Sequence, residues 1–146
     1  EIGMRKNSKR QHPAPLRASG EDYLEAVLVL QKEKGMVRSV DVARHLGVSK
    51  PSVCHAVALL KDGGFLTMDE DFSLRLTDVG REVAEDIYER HCFFTEQLIA
   101  AGVDPKVAEA DACRIEHIIS AESFERLKEA AKGMRQAQRP ILSSSE

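Results

Sequence analysis

The hydrophobic residues of the chain recur mostly at helical spacing, beginning with a run after Ser19. Serine is a common helix N-cap, and acidic residues, which the helix dipole favours, occupy the first turns of this run before it stops at Gly35. Its apolar positions are Tyr23, Leu24, Val27, Leu28 and Leu30. Apolar residues spaced by three and four positions predict an amphipathic first helix.

Two shorter helical runs follow, and their connection is very short. Ser39 is expected to cap the first of them, which stops at Gly47, and Ser49 is expected to cap the second, with Pro51 in its first turn. Only Gly47 and Val48 separate the two runs. A Gly-containing turn of this length between two short helices predicts a helix-turn-helix.

A hairpin is predicted directly after these helices. Residues 65–68 and 73–76 are strand-like runs on either side of the acidic residues 69–71. A hairpin in this position is the wing of a winged helix domain, and residues 65–76 are called the wing below. The sequence therefore predicts a winged helix-turn-helix over residues 19–78.

The remainder of the chain predicts helices only. Their expected boundaries are Thr77 or Asp78 to about Ala101, Asp104-Pro105 onward, and Ser120 to Gly133. The expected fold is mainly α, with a winged helix-turn-helix followed by an α-helical domain over residues 79–134 and a tail without periodicity over residues 135–146. An aromatic content of 5% and a hydrophobic content of 42% agree with a helical protein.

The charge distribution, the lack of long apolar runs and the cysteines give further expectations about the protein. The net charge is −3, but residues 4–17 contain five basic residues and no acid, which predicts a disordered basic arm over residues 1–18. No apolar run of about 18 residues and no signal-peptide core is present, so we expect a cytoplasmic protein without a membrane partner. Cys54, Cys92 and Cys113 form no CxxC pair, which leaves packing, metal binding or a reactive thiol as their roles.

The third predicted helix carries polar residues where a helix-turn-helix meets DNA. These residues are Ser49, Lys50, Pro51, Ser52 and His55. The N-terminal end of such a helix contacts base edges, and Ser hydroxyls and backbone N–H groups also hold phosphate. A generic capped surface helix would look the same, but the preceding helix and the following wing favour DNA binding. Because the wing tip is acidic, we expect phosphate contacts from Arg75, Lys50 and the basic arm.

The fifth predicted helix places potential metal ligands on one face. Cys113, Glu116 and His117 stand at positions i, i+3 and i+4, and Glu109 lies one turn before Cys113. Thiolate, carboxylate and imidazole groups are ordinary ligands of transition metals. A polar helix face with a buried cysteine would give the same pattern, so the spacing leaves both interpretations open.

Two other predicted helices carry residues of the same types. Asp22 and Glu25 are spaced i, i+3 on the first helix, and His91 lies on the long helix after the wing. Three helices could therefore contribute ligands to one site. For Asp22 and Glu25 alone, surface acids that favour the helix dipole are the simpler interpretation.

The chain resembles the diphtheria toxin repressor family of iron- and manganese-dependent regulators over residues 19–133. The matching segments are EDYLEAV at 21–27, SKPSV at 49–53, LTDVG at 76–80, ERH at 89–91 and ACRIEHIIS at 112–120. The resemblance implies a winged helix-turn-helix, an α-helical dimerisation domain, a metal site bridging them, and repression of metal-uptake genes when metal is bound. It also implies a homodimer that binds a palindromic operator in double-stranded DNA, and no catalytic residues.

The resemblance also assigns the metal ligands by position. They are Asp22, Glu25, His91, Cys113, Glu116 and His117, with Glu109 as an additional candidate. Asp22 and Glu25 match the manganese-type regulators, Cys113 matches the iron type, and the other three main ligands match both. The expected co-repressor is therefore Fe²⁺ or Mn²⁺, and Zn²⁺, Co²⁺ or Ni²⁺ are expected to bind in vitro.

Three positions depart from the iron type. That type has a His where this chain has Glu109 and a Glu where it has Thr95, so an ancillary site of that type lacks two ligands, although Glu109 could still coordinate. His55 replaces a Gln at a base-contacting position, so a different operator sequence is expected. The chain is also too short for the third, SH3-like domain of the iron type, which predicts a two-domain regulator.

We therefore predict a metal-dependent repressor in which a shared ion fixes the angle between the first helix and the dimerisation domain. The alternative is a metal-independent winged-helix regulator that senses a small molecule or an oxidant through Cys113 or Cys92. A metalloenzyme built on His91, Glu116 and His117 is a third class. No substrate pocket or general acid/base is apparent for it, and it would leave the DNA-binding half unexplained.

Overall fold

The computed structural model describes residues 19–138, so the basic arm predicted for residues 1–18 and residues 139–146 of the predicted tail lie outside the described residues. The described residues form six helices and a two-stranded sheet. They divide into two compact units, of which one ends at Thr77 and the other begins at Asp78. None of the helices within residues 19–138 combines the length and the apolar content needed to cross a membrane.

The first unit is a winged helix-turn-helix, as predicted. Its elements are α1 (Gly20–Lys34), α2 (Ser39–Leu46), α3 (Lys50–Asp62), β1 (Leu66–Met68) and β2 (Leu74–Leu76). The two strands pair antiparallel, with Thr67 opposite Arg75 at the centre of the ladder. α1 packs against α2, α3 and β2. The apolar stripe predicted for α1 is buried, as Tyr23, Leu24, Ala26, Val27, Leu28 and Leu30.

Local capping explains where the first two helices begin. Ser19 and Asp22 form a capping box, in which the Ser19 N–H donates to Asp22 Oδ2 at 2.8 Å and the Ser19 side chain accepts from the Asp22 N–H. The prediction that Ser39 caps α2 is wrong. Arg38 is the N-cap residue, and its N–H donates to Asp41 Oδ2 at 2.9 Å, because an acid at the third helical position can reach back to the cap.

The wing is a hairpin whose tip is held by its own acidic residues. Ser73 is buried, and its Oγ lies 2.7 Å from Asp71 Oδ1 and 3.2 Å from Asp69 Oδ2. Phe72, between these groups, is 69% exposed and adopts a φ of 65°. Two acids of the wing tip thus help to build the turn, and the aromatic ring of Phe72 is exposed beside them.

The second unit consists of three helices around an aromatic core. They are α4 (Asp78–Ala100), α5 (Pro105–Ile118) and α6 (Ala121–Ala137). α4 and α5 pack against each other, and the buried cluster takes Phe94 from α4, Ala112 from α5 and Phe124 from α6. Phe93 stands edge-on to Phe124 with 5.5 Å between ring centroids, a favoured aromatic arrangement. The core therefore fixes α4 and α5 relative to each other.

The end of α6 differs from the prediction. Ser120 caps this helix as expected, accepting from the Ser123 N–H at 3.1 Å. The helix does not stop at Gly133 but continues through it to Ala137, into the residues assigned to the tail. A glycine inside a helix costs only about 1 kcal/mol relative to alanine, and the residues on both sides of Gly133 are good helix formers.

Candidate metal centre

Packing of α4 against α5 brings three potential metal ligands together in the second unit. His91 lies on α4, and Cys113 and Glu116 lie one turn apart on α5. His91 Nδ1 is 2.9 Å from Glu116 Oε2 and 3.6 Å from Cys113 Sγ. One ligand atom from each of the three residues lies within 4.8 Å of the others. The structure thus joins the histidine of the long helix to the α5 residues that share a face.

Glu116 is the buried member of this cluster. Its side chain is 1% exposed, and its two oxygens face different imidazoles. Oε2 contacts His91, and Oε1 lies 3.2 Å from His117 Nε2. Both histidines are partly buried, whereas Cys113 is exposed. Because a buried carboxylate is costly unless it is paired or coordinates a metal, Glu116 needs these neighbours.

The contacts of His91 with Cys113 and Glu116 also affect the pKa of its imidazole. Hydrogen bonding to the Cys113 sulfur, and then to the Glu116 carboxylate, raises the pKa of His91 from 6.5 to about 11 against the opposing effect of burial. These contacts therefore favour the protonated imidazole, in which Nδ1–H donates to Glu116 Oε2.

The spacing of these donor atoms fits a first-row transition metal. Ligand atoms that bind one ion at about 2.0–2.3 Å lie about 3–4 Å from each other. The separations of 2.9 Å and 3.6 Å around His91 Nδ1 are of this size. A set of imidazole, thiolate and carboxylate suits ions such as Fe²⁺ and Zn²⁺. His91, Cys113 and Glu116 would therefore hold the ion, with His117 beside them.

The other predicted ligands have different surroundings. Glu109 is exposed on α5, and within residues 19–138 it does not belong to the ligand cluster. Asp22 and Glu25 lie on α1 in the first unit, where Asp22 also serves the capping box with Ser19. Asp22 thus has a local structural role at the start of α1.

The predicted DNA-contacting residues of α3 share one exposed end and face. Ser49, Lys50, Pro51, Ser52 and His55 are all exposed. Val53, Val57 and Leu60 are buried on the opposite side. Ser49 caps the helix by accepting from the Ser52 N–H at 3.3 Å, and the two hydroxyls are 2.8 Å apart. The N-terminal end of α3 is therefore ordered by its own serines and open to a partner.

Arg75 lies on β2 of the wing and is exposed. Its Nε–H donates to Asp69 Oδ2, so the arginine neutralises one acid of the wing tip. A guanidinium that uses Nε in this way keeps other N–H donors. Arg75 could therefore contact phosphate while it remains paired with Asp69.

Arg90, which the sequence pattern did not single out, contacts the backbone beside this cluster. Its Nη1 donates to the backbone oxygen of Ile119 at 2.7 Å and lies 3.3 Å from that of Glu116. The available signal was its place directly before His91 in the ERH segment at 89–91. Periodicity marks the faces of a helix but not the partner of a side chain across a helix pair.

Two protein-family models match the chain. The model described as iron dependent repressor, N-terminal DNA binding domain, matches residues 15–72, and the one described as iron dependent repressor, metal binding and dimerisation domain, matches residues 77–139. The chain belongs to the iron-dependent repressor family. Proteins of this family are metal-dependent transcriptional regulators and not enzymes. The second unit, which holds the cluster around Glu116, corresponds to the metal-binding and dimerisation domain of the family.

Individual relatives agree with this assignment. The transcriptional regulator MntR of Salmonella typhimurium is 36% identical over 105 residues, which cover 72% of this chain and 67% of MntR. The structure of the manganese regulator SloR superposes with a TM-score of 0.72 at 23% identity, covering 79% of this chain and 54% of SloR. IdeR of T. acidophilum gives a TM-score of 0.68 at 27% identity, covering 78% of this chain and 54% of IdeR. The chain spans about half the length of these two solved structures.

Proposed function

We propose that this protein is a repressor that binds palindromic double-stranded DNA as a homodimer when Fe²⁺ or Mn²⁺ occupies the site around Glu116. The observation that carries the proposal is the contact of one buried carboxylate with His91 at 2.9 Å, beside Cys113. A buried charge contributes little net stability, and in proteins it is either paired or bound to a metal ion. A ligand-binding role therefore explains Glu116 better than a packing role.

The proposed ligand set includes residues from both units. His117 joins His91, Cys113 and Glu116 because it contacts the same carboxylate. Asp22, Glu25 and Glu109 are added from the sequence match, and the exposed Glu109 has the least support. When bound, the metal supplies a cross-link between side chains that are far apart in the sequence.

The order of the ligands along the chain suggests how the site controls DNA binding. Asp22 and Glu25 precede α3, and Cys113, Glu116 and His117 follow it. A metal ion bound to both sets of ligands would restrict the orientation of α3. The two recognition helices of a dimer must enter successive major grooves about 34–36 Å apart, so a restricted orientation raises the affinity for a palindrome. In this proposal bases are contacted by Ser49, Pro51, Ser52 and His55. Phosphates are contacted by Lys50 and Arg75.

The choice between the two metals follows from the ligand chemistry. The carboxylates of Asp22 and Glu25 suit Mn²⁺, whereas the thiolate of Cys113 favours Fe²⁺ or Zn²⁺. The similar proteins include a manganese regulator, and the matching family models are named for iron. We therefore propose Fe²⁺ or Mn²⁺ in the cell, with Zn²⁺, Co²⁺ or Ni²⁺ binding in vitro because divalent affinities follow a general order.

The test is the DNA affinity of the metal-stripped full chain, measured anaerobically by fluorescence anisotropy on DNA from its own upstream region. Mn²⁺, Fe²⁺ and Zn²⁺ are titrated in turn. We expect metal to tighten binding by about ten-fold or more, within the usual range of coupling between two sites. Glu116→Gln should abolish this response, and Glu129→Gln, an exposed glutamate of α6, should retain it. Equal affinity of the parent with metal and with chelator would exclude the proposal.

A second candidate function is metal-independent sensing of an oxidant, favoured by the exposed thiol of Cys113 beside His91. In that case peroxide, with chelator present, should weaken DNA binding by the parent but not by Cys113→Ser. A response to metal together with insensitivity to peroxide excludes this candidate.

A further inference from the structure

The C-terminal end of α5 needs hydrogen-bond donors from outside the helix. α5 ends at Ile118, and Ile119 is extended, with φ −78° and ψ 137°. The Ile119 N–H still donates to Ile115 O at 3.2 Å. Carbonyl groups in the last turn of a helix have no partner within the helix. The carbonyl of Glu116 is one of these groups.

Arg90 of α4 supplies such a donor. Its Nη1 donates to Ile119 O at 2.7 Å and approaches Glu116 O at 3.3 Å. A cation at the C-terminal end of a helix is also favoured by the helix dipole. Arg90 therefore closes the end of α5 and attaches it to α4.

The guanidinium of Arg90 is itself held in place. Its side chain is only 12% exposed, and Nη2 lies 3.6 Å from Asp86 Oδ2 on the same helix. The central guanidinium carbon lies 5.4 Å from the ring centroid of Phe124 on α6, within the range of a cation–π contact. Arg90 thus contacts all three helices of the second unit, and its position is determined by the core.

Arg90 and His91 follow each other on α4 and meet the same residue of α5. Arg90 approaches the main-chain carbonyl of Glu116, while His91 contacts its carboxylate. We infer that Arg90 is a positioning residue of the metal centre, which fixes the backbone of Glu116 so that its carboxylate stands ready beside His91 and Cys113. The inference rests on the proposed metal-binding function. Groups that orient a metal ligand without touching the ion typically change metal affinity by about 10–100-fold when they are removed.

Substitutions of Arg90 separate positioning from general stability. Arg90→Met keeps much of the apolar stem but removes every donor, whereas Arg90→Lys keeps the charge and a donor. Arg81→Met is the matched control, because Arg81 is an exposed arginine of α4 whose ion pair with Glu85 at 3.8 Å does not reach α5. Each variant is made in the full chain and stripped of metal.

The experiment measures Mn²⁺ affinity, the visible absorption spectrum of the Co²⁺-loaded protein, and the unfolding midpoint in chelator. We expect Arg90→Met to bind Mn²⁺ about 10–100-fold more weakly with an altered Co²⁺ spectrum, Arg90→Lys to recover part of the affinity, and Arg81→Met to match the parent. Parent-like Mn²⁺ affinity and Co²⁺ spectrum in Arg90→Met would overturn the inference, even if its unfolding midpoint falls. If Arg90→Met does not fold, Arg90→Leu, which also lacks every donor, takes its place, and parent-like values in that variant overturn the inference.

The same measurements distinguish this inference from the proposed function. If the parent binds Mn²⁺ but DNA affinity does not respond to metal, the co-repressor function fails, and the affinities of the Arg90 variants still decide the positioning role. If the parent binds neither Mn²⁺ nor Co²⁺, both are excluded.

Discussion

The Nδ1 atom of His91 lies 2.9 Å from the Oε2 atom of Glu116, and this contact joins α4 to a nearly inaccessible carboxylate of α5. Cys113, one turn before Glu116, approaches the same nitrogen at 3.6 Å. An imidazole, a carboxylate and a thiol thus converge on one point between two helices whose packing is fixed by Phe94, Ala112 and Phe124.

Cys113 is expected to set the metal preference. Cys113→Glu replaces a soft thiolate with a carboxylate, which favours Mn²⁺ over Zn²⁺. We expect the ratio of Zn²⁺ to Mn²⁺ affinity to fall by about ten-fold or more, measured by competition with a chelating dye. Cys54→Ser, an exposed cysteine of α3, should leave the ratio unchanged. A ratio that is the same in Cys113→Glu and the parent would show that the thiol is not a ligand.

On the exposed face of α3, we expect His55 to contact bases and Lys50 to contact phosphates. His55→Ala should reduce discrimination between the operator and unrelated DNA by about 1–3 kcal/mol. Lys50→Ala should instead weaken binding to both and lower the slope of log affinity against log salt by about 1. Both are measured by anisotropy across a salt series, with Lys61→Ala at the far end of α3 as the control. Loss of discrimination in Lys50→Ala with none in His55→Ala would reverse the assignment.

The backbone conformation of Phe72 is expected to lower the free energy of unfolding. Its φ of 65° is left-handed, a conformation that is unfavourable by about 1–2 kcal/mol for residues with a Cβ. Phe72→Gly removes this cost and, because the ring is exposed, little packing. We expect urea unfolding to give a free energy of unfolding up to about 1 kcal/mol higher than that of Phe72→Leu, which keeps the Cβ. If Phe72→Gly has a lower free energy of unfolding than Phe72→Leu, the side chain at position 72 packs against the protein.

Asp41 is expected to stabilise the start of α2 in a pH-dependent way. Its hydrogen bond from Lys34 Nζ at 2.7 Å, and then that from the Arg38 N–H, hold the pKa of the Asp41 carboxyl below its usual 3.8. A lowered pKa in the folded state means that the stabilisation is present above pH 3.8 and is lost as the pH falls through the folded-state pKa.

Asp41→Asn should therefore lower the free energy of unfolding at neutral pH by about 1 kcal/mol, the usual value of a helix cap. The difference from the parent should persist down to about pH 4.5 and shrink below the usual pKa of a free aspartate. Urea unfolding of parent and variant across this range checks the prediction. A difference that does not depend on pH would assign the effect to something other than the Asp41 charge.

Most elements of the fold could be predicted because their causes are local. Ser49, Asp104 and Ser120 cap helices at the positions where the sequence places a polar residue before an apolar stripe. The two local errors also have local reasons. At α2 an acid at the third helical position, Asp41, takes the role expected of Ser39, and at Gly133 the penalty of a single glycine is too small to stop a helix.

The winged helix-turn-helix, the helical second unit, the exposed end of α3 and the common face of Cys113 and Glu116 follow from the sequence. Each of them depends on residues within a few turns of one another. Two contacts depend instead on how the helices pack: His91 contacts Glu116, 25 residues further along the chain, and Arg90 closes the end of α5. Helical periodicity specifies which face of a helix is buried but not how far one helix is shifted along another. That shift depends on how Phe94, Ala112 and Phe124 pack, and it brings the imidazole, the carboxylate and the thiol to one place.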